Sequence, residues 1–257
     1  MSRLWLKTAH LNLFGPDSWL SVRNLAGSSR TFALPLSTEP RQWVPELGEW
    51  FADHDDVLRG CRVSICTSDR IAAVAAMPWQ PDIQSRDEQL AYAAACLEHD
   101  SGLDGGDWLI EGQFTQYGGM GLAYAVQRPW LAELDNAISS NGARLVSVLP
   151  VSAAAYCMHR PGRFAGPSLL LLEDGNRTTL LQHAGNRLER FDAEPATAQG
   201  GEAGARLLRR LEVAPELIKR IYSWSAKPPE RRSPPRYLQD GLFNTAPSAL
   251  DRAAWSK

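Results

Sequence analysis

The residues of this chain that could do chemistry come in a few small groups. Gly118-Gly119-Met120-Gly121 is the one glycine cluster of interest. Phosphate binding needs backbone N–H groups converging at a glycine loop or at a helix N-terminus. This cluster lies between two predicted strands, so a hairpin turn is expected there instead. No Walker loop and no dinucleotide fingerprint occurs. Asp53-His54-Asp55-Asp56 gathers three carboxylates and an imidazole, yet neighbours at a helix end rarely face one point; a solvated terminus is expected. His10, His54, His99, His159 and His183 are scattered without the spacing a metal site wants. Cys61 and Cys66 fall five apart in a predicted strand, hence on opposite faces. Cys96 and Cys157 sit on apolar, helix-like stretches, and there is no Gly-x-Ser-x-Gly elbow. Buried, reduced thiols and no catalysis are the expectation.

The elements that must position these groups follow from turn chemistry and period. Thr8–Phe14, Trp19–Leu25 and Arg30–Leu36 alternate apolar and polar residues between Gly/Pro/Ser turns, which makes a β-meander. A helix is predicted over Glu39–Asp53, with Pro40 suited to its first turn, while Pro45 must sit early or kink it. Arg62–Cys66 and Ile71–Met77 are strands around Thr67-Ser68-Asp69. Ser85 and Glu88 have capping-box spacing ahead of a helix to about His99, with Leu90, Ala93, Ala94 and Leu97 as its buried stripe. Trp108–Tyr117 and Gly121–Gln127 form a hairpin. A helix opens at Pro129 and stops at Asn141-Gly142. Arg144–Leu149 reads as a fully buried strand and Val151–Met158 as a short helix. After Pro161–Pro167 the opening pattern returns: strands at Ser168–Glu173, Thr178–His183 and Leu188–Phe191, a helix from Glu202 to Leu211, and another from Pro215 through Tyr222. Strand–strand–strand–helix thus occurs twice.

Composition bounds the rest. The chain has 257 residues, 44% hydrophobic and 22% charged, with a net charge of -2, which supplies cores but no overall attraction to nucleic acid. Met1–His10 carries Arg3 and Lys7 without a long apolar stretch, so no signal peptide is expected. No window reaches the ~18 apolar residues of a membrane span.

A duplicated β-meander, each copy followed by helices, resembles the actin-like superfamily. Arg62–Trp79, Leu122–Pro150 and Ser168–Phe191 are similar to the cytoplasmic proteins of the PilM type, from type IV pilus assembly, and the GspL type, from type II secretion. The resemblance implies an α/β, actin-like (ribonuclease H-like) fold with duplicated β-meanders plus helices. Residues 1–160 would be the first domain, 167–225 an abbreviated second one, and 226–257 a proline-rich tail. It further implies a cytoplasmic, non-catalytic scaffold held at the inner membrane by other pilus or secretion assembly proteins. Such chains carry an acidic-plus-glycine phosphate loop between their first two strands. Here that turn is Gly15-Pro16-Asp17-Ser18, and its counterpart is Glu173-Asp174-Gly175, a partial match. No cofactor is therefore expected; ATP with magnesium, held near Asp17, Asp174 and Gly175, is the alternative, and a small α/β enzyme of unrelated fold is a third reading.

The tail is the expected partner-binding region. Lys227-Pro228-Pro229, Arg231-Arg232 and Pro234-Pro235-Arg236 cannot enter helix or sheet interiors. Nine tryptophans are many, and most suit core packing. Trp224 and Trp255, with Arg231, Arg232, Arg236 and Tyr237, are the aromatic and basic groups placed to anchor a protein partner. One short basic patch does not make a nucleic-acid site.

Overall fold

The structure, a computed structural model, describes residues 7–24, 26, 28–54, 56–103, 106–159, 166–174, 177–195, 206, 207, 209 and 220–225. The first meander is β1 (Lys7–Leu13), β2 (Ser18–Arg23) and β3 (Ser29–Leu34), all antiparallel neighbours. Strands β4 (Cys61–Thr67) and β8 (Arg144–Pro150) extend it in parallel, giving the order β3-β2-β1-β4-β8. Between them a separate three-stranded sheet, β5-β7-β6, is built from β5 (Ala72–Met77), β6 (Trp108–Gln113) and β7 (Gly121–Gln127). The second meander comprises β9 (Ser168–Asp174), β10 (Arg177–Ala184) and β11 (Arg187–Pro195). Strand β12 (Arg220–Ser225) pairs in parallel with β9, so this sheet runs β11-β10-β9-β12. Matched strand for strand, β11-β10-β9-β12 repeats β3-β2-β1-β4. The recurrence read from sequence is therefore a true duplication of topology.

Each helix sits where an apolar stripe meets a sheet. Helix α1 (Trp43–Asp53) presents Trp43, Leu47 and Phe51, and α3 (Arg128–Ser140) presents Leu134 and Ile138. Together they cover Leu11, Leu20, Val63 and Ile65 of the five-stranded sheet. Pro45 occupies the third position of α1, where no intrahelical N–H bond is lost. Helix α4 (Val151–Met158) packs into a second core between the halves, against Leu170, Leu172 and Leu181. Helix α2 (Arg86–Ser101) covers the three-stranded sheet. Its capping box at Ser85 and Glu88 is formed as predicted, and it ends in a left-handed Gly102.

Two expectations need correcting. Strand β8 is an edge strand, not a fully buried one: Val146 is 45% exposed, and among the described residues β8 has a neighbour only on the β4 side. The helix predicted through Tyr222 is instead strand β12 over its last three residues. Arg220–Ser225 alternates with period two and pairs with β9, and that long-range pairing overrides the local helix signal. The proline-rich segment lies outside the described residues.

Close packing makes one glycine in β6 indispensable. A Cβ on Gly112 would meet the Ala93 Cβ of α2 at 2.6 Å and the Met77 Sδ at 2.9 Å. Gly112→Ala should therefore cost about 1–3 kcal/mol by overpacking, read as a lower denaturation midpoint. An unchanged midpoint would mean that α2 does not seat on β6 this closely.

Candidate functional site: a buried two-aspartate clasp

The polar centre of the molecule lies where the two halves meet. After β4 the chain turns through Ser68 and Asp69. The Ser68 N–H donates to the Leu13 carbonyl at 2.9 Å, and the Ser68 hydroxyl accepts from the Arg70 N–H at 3.1 Å. That turn faces Asp174, the last residue of β9. The Ser68 hydroxyl lies 2.8 Å from both Asp174 carboxylate oxygens, and the Asp69 N–H donates to Asp174 Oδ2 at 2.8 Å. Asp69 in turn closes on α4 and β10. Its Oδ1 accepts from the Ser152 N–H at 3.1 Å, and its Oδ2 accepts from the Ser152 hydroxyl and, at 3.4 Å, from the Thr179 hydroxyl. Helix α4 has no capping side chain of its own, since Pro150 holds its N-cap position. Asp69 supplies the missing acceptor from a distant part of the chain, at the end of the helix that favours negative charge.

Both acids are buried, Asp69 at 1% and Asp174 at 4% exposure. Burial pushes the Asp69 carboxyl up, opposed by the Ser152 bonds and then by the nearby Arg177 charge. Asp174 is pushed up to about 7, first by burial and then by the negative charge of Asp69. The same two carboxylates, after burial itself, hold the Cys66 thiol well above its usual range, so Cys66 is no thiolate nucleophile. The arrangement is a clasp. Both carboxylates accept from protein donors, and the Arg177 charge lies near the pair.

The turn between β1 and β2 is also occupied. The Phe14 N–H donates to the Ser18 hydroxyl at 2.8 Å, and the Ser18 N–H returns to the Gly15 carbonyl. Gly15 takes φ +66°, and a Cβ there would press on the Ser37 carbonyl at 3.0 Å. Asp17 is exposed in this turn, whereas Asp174 is buried in the clasp. Gly175, Arg231, Arg232, Arg236, Tyr237 and Trp255 lie outside the described residues, and the Trp224 backbone pairs with Leu172 in β12.

The other candidate groups resolve into structure. Met120 of the glycine cluster donates its N–H to the Leu188 carbonyl of β11, and the Tyr156 hydroxyl bonds to the Met120 carbonyl. This loop is thus a brace between the halves. His54 stacks on Trp50 with ring centroids 4.0 Å apart, and Asp56 pairs with Arg59 in solvent. No group of three His, Cys, Asp or Glu able to hold a metal occurs among the described residues. Asp69 and Ser152 were invisible to sequence reading as functional residues. The only local signal was a Ser-Asp turn between two strands.

No protein-family model matches the chain, and no curated protein matches it in sequence. Solved structures do match. A Bacteroides thetaiotaomicron protein with an actin-like ATPase fold and unknown function superposes with a TM-score of 0.58. The match covers 87% of this chain and 82% of that one, at 10% identity. The fold is actin-like. The cytoplasmic domain of EpsL, an inner membrane component of the Vibrio cholerae type II secretion system, also aligns. It gives a TM-score of 0.53 at 13% identity, over 87% of this chain and 84% of its own. A type IV pilus PilM–PilN complex aligns at a TM-score of 0.47 and 14% identity, over 80% of this chain and 66% of that one. At these identities the likeness speaks for the fold alone. Within that actin-like frame the second domain is abbreviated, with four strands against the first domain's five among the described residues.

Proposed function

We propose that this chain is a non-catalytic, actin-like scaffold that binds other proteins of a pilus- or secretion-type assembly at a bacterial inner membrane. The carrying observation is the Asp69–Asp174 clasp. It sits at the junction of the halves and commits the Ser152 N–H at the α4 N-terminus to Asp69, so that donor serves the protein and not a phosphate. The likeness in fold to the EpsL cytoplasmic domain supports the choice of machinery. Among the described residues no helix is long and apolar enough to cross a membrane. An enzyme of unrelated fold no longer competes, because the fold is actin-like.

Thermal melting with and without magnesium–ATP tests the nucleotide-free part of this reading. The midpoint should stay put at millimolar nucleotide. A rise of several degrees would make the chain a nucleotide-binding protein of the same fold, since a ligand at 100 times its Kd adds about 2.7 kcal/mol.

A further inference from the structure

A chain with almost no net charge still gathers cations in one place. A cleft of about 600 Å³ is lined by Arg41, Arg70 and Arg177, with Glu39 the one acid among its lining residues. The three arginines come from separate parts of the chain. Arg41 stands in the short turn Pro40–Gln42 ahead of α1, Arg70 in the turn Asp69–Ile71 between β4 and β5, and Arg177 opens β10. None of them takes part in an ion pair among the described residues. Gathered like charges repel one another, and a cleft lined by one sign concentrates counter-ions.

The cations are not equally available. Arg177 lies near Asp69 and Asp174 of the clasp, so its charge is shared with them. Arg41 and Arg70 are exposed and remain for a ligand. Arg70 Nη1 donates to the Thr38 carbonyl at 2.9 Å, which orients the guanidinium without cancelling its charge. A guanidinium offers a planar fork of donors that fits a carboxylate or a phosphate. The rest of the wall is of another kind: Trp108 at the start of β6, Trp130 of α3, Ile71 and Leu103 supply apolar surface. The volume is that of a small-molecule site, and apolar walls with a few charged groups are its usual lining.

We propose that this cleft binds a small organic polyanion, with carboxylate or phosphate groups on an apolar body. Such binding goes beyond the scaffold role and does not depend on it. Magnesium–ATP differs from ligands of this class, because its metal already engages the phosphate oxygens.

Calorimetric titration of the full-length protein with trimesate and with phenyl phosphate, both free of magnesium, tests this. At least one should bind at a single site, more weakly as salt is added, and the tighter of the two tells carboxylate from phosphate. Arg41→Gln and Arg70→Gln should each weaken binding roughly fivefold or more, since hydrogen bonds to charged groups are the strong ones. Melting of Arg41→Gln without ligand should match the parent, as that side chain is exposed. No binding of either anion at millimolar concentration would overturn the proposal, as would binding that neither substitution weakens. Tighter binding of a glutamate-rich peptide than of both anions would overturn it too, by assigning the cleft to a partner protein.

Discussion

Between pH 4 and 8, Asp174→Asn should gain on the parent protein by up to about 4 kcal/mol in unfolding free energy. The size follows from a carboxyl raised from 3.8 to about 7 at about 1.36 kcal/mol per pH unit. The sign follows from linkage. A carboxyl raised by folding binds its proton more tightly in the folded chain. Its contribution is fully present below the unfolded value of 3.8 and is lost as pH rises through about 7. Asn cannot ionise, so the variant lacks that loss, and Asp69 is relieved of a charged neighbour. Asn also keeps one carbonyl acceptor for the Ser68 hydroxyl or the Asp69 N–H. Chemical denaturation of both proteins across this range supplies the comparison. A difference that stays constant with pH would mean that Asp174 ionises as an ordinary surface carboxylate does.

The second large effect belongs to Asp69. Asp69→Ala should destabilise the protein by about 2–4 kcal/mol, because it strands the Ser152 N–H, the Ser152 hydroxyl and the Thr179 hydroxyl in a buried site. In a protein of this size that lowers the melting midpoint by roughly 2–4 °C per kcal/mol. Asp69→Asn retains an acceptor and sheds the buried charge, so it should lose less than half as much. The opposite order, with Asn worse than Ala, would show that the ionised carboxylate itself, not its hydrogen bonds, joins the halves.

The frame was legible in the sequence because its signals are local. Both meanders are bounded by Gly, Pro, Ser and Asn turns, and the capping box at Ser85 marks the start of α2 within one residue. Strand β12 was missed because its partner β9 lies some fifty residues upstream, and Pro215 advertised a helix more loudly than the alternation of Arg220–Ser225 advertised a strand. The exposure of β8 was hidden for a related reason: an apolar run does not say whether a strand has neighbours on one side or two.

The site was half legible. Asp174 was named only as a cofactor-binding candidate, through a turn that partly matches the phosphate loop of the resembled family; its place in the clasp was not read. Its partner could not be named at all, since Asp69 lies 105 residues away and is brought to it by packing of the two halves. Ser152 was equally silent, a small polar residue in an apolar helix whose first N–H groups need an acceptor that no neighbouring side chain offers. Asp17 lies in the turn beyond β1, four residues past Leu13, the counterpart of Asp174 at the end of its strand, and it is exposed.

The central claim is that the Asp69–Asp174 clasp closes the polar junction between the halves without needing a nucleotide. Hydrogen exchange at the Asp69 and Ser152 amides, with and without magnesium–ATP, addresses it directly, because those two N–H groups are the clasp's own donors. The account predicts slow exchange at both, at the same rate in either condition. Fast exchange without nucleotide that slows on its addition would contradict it.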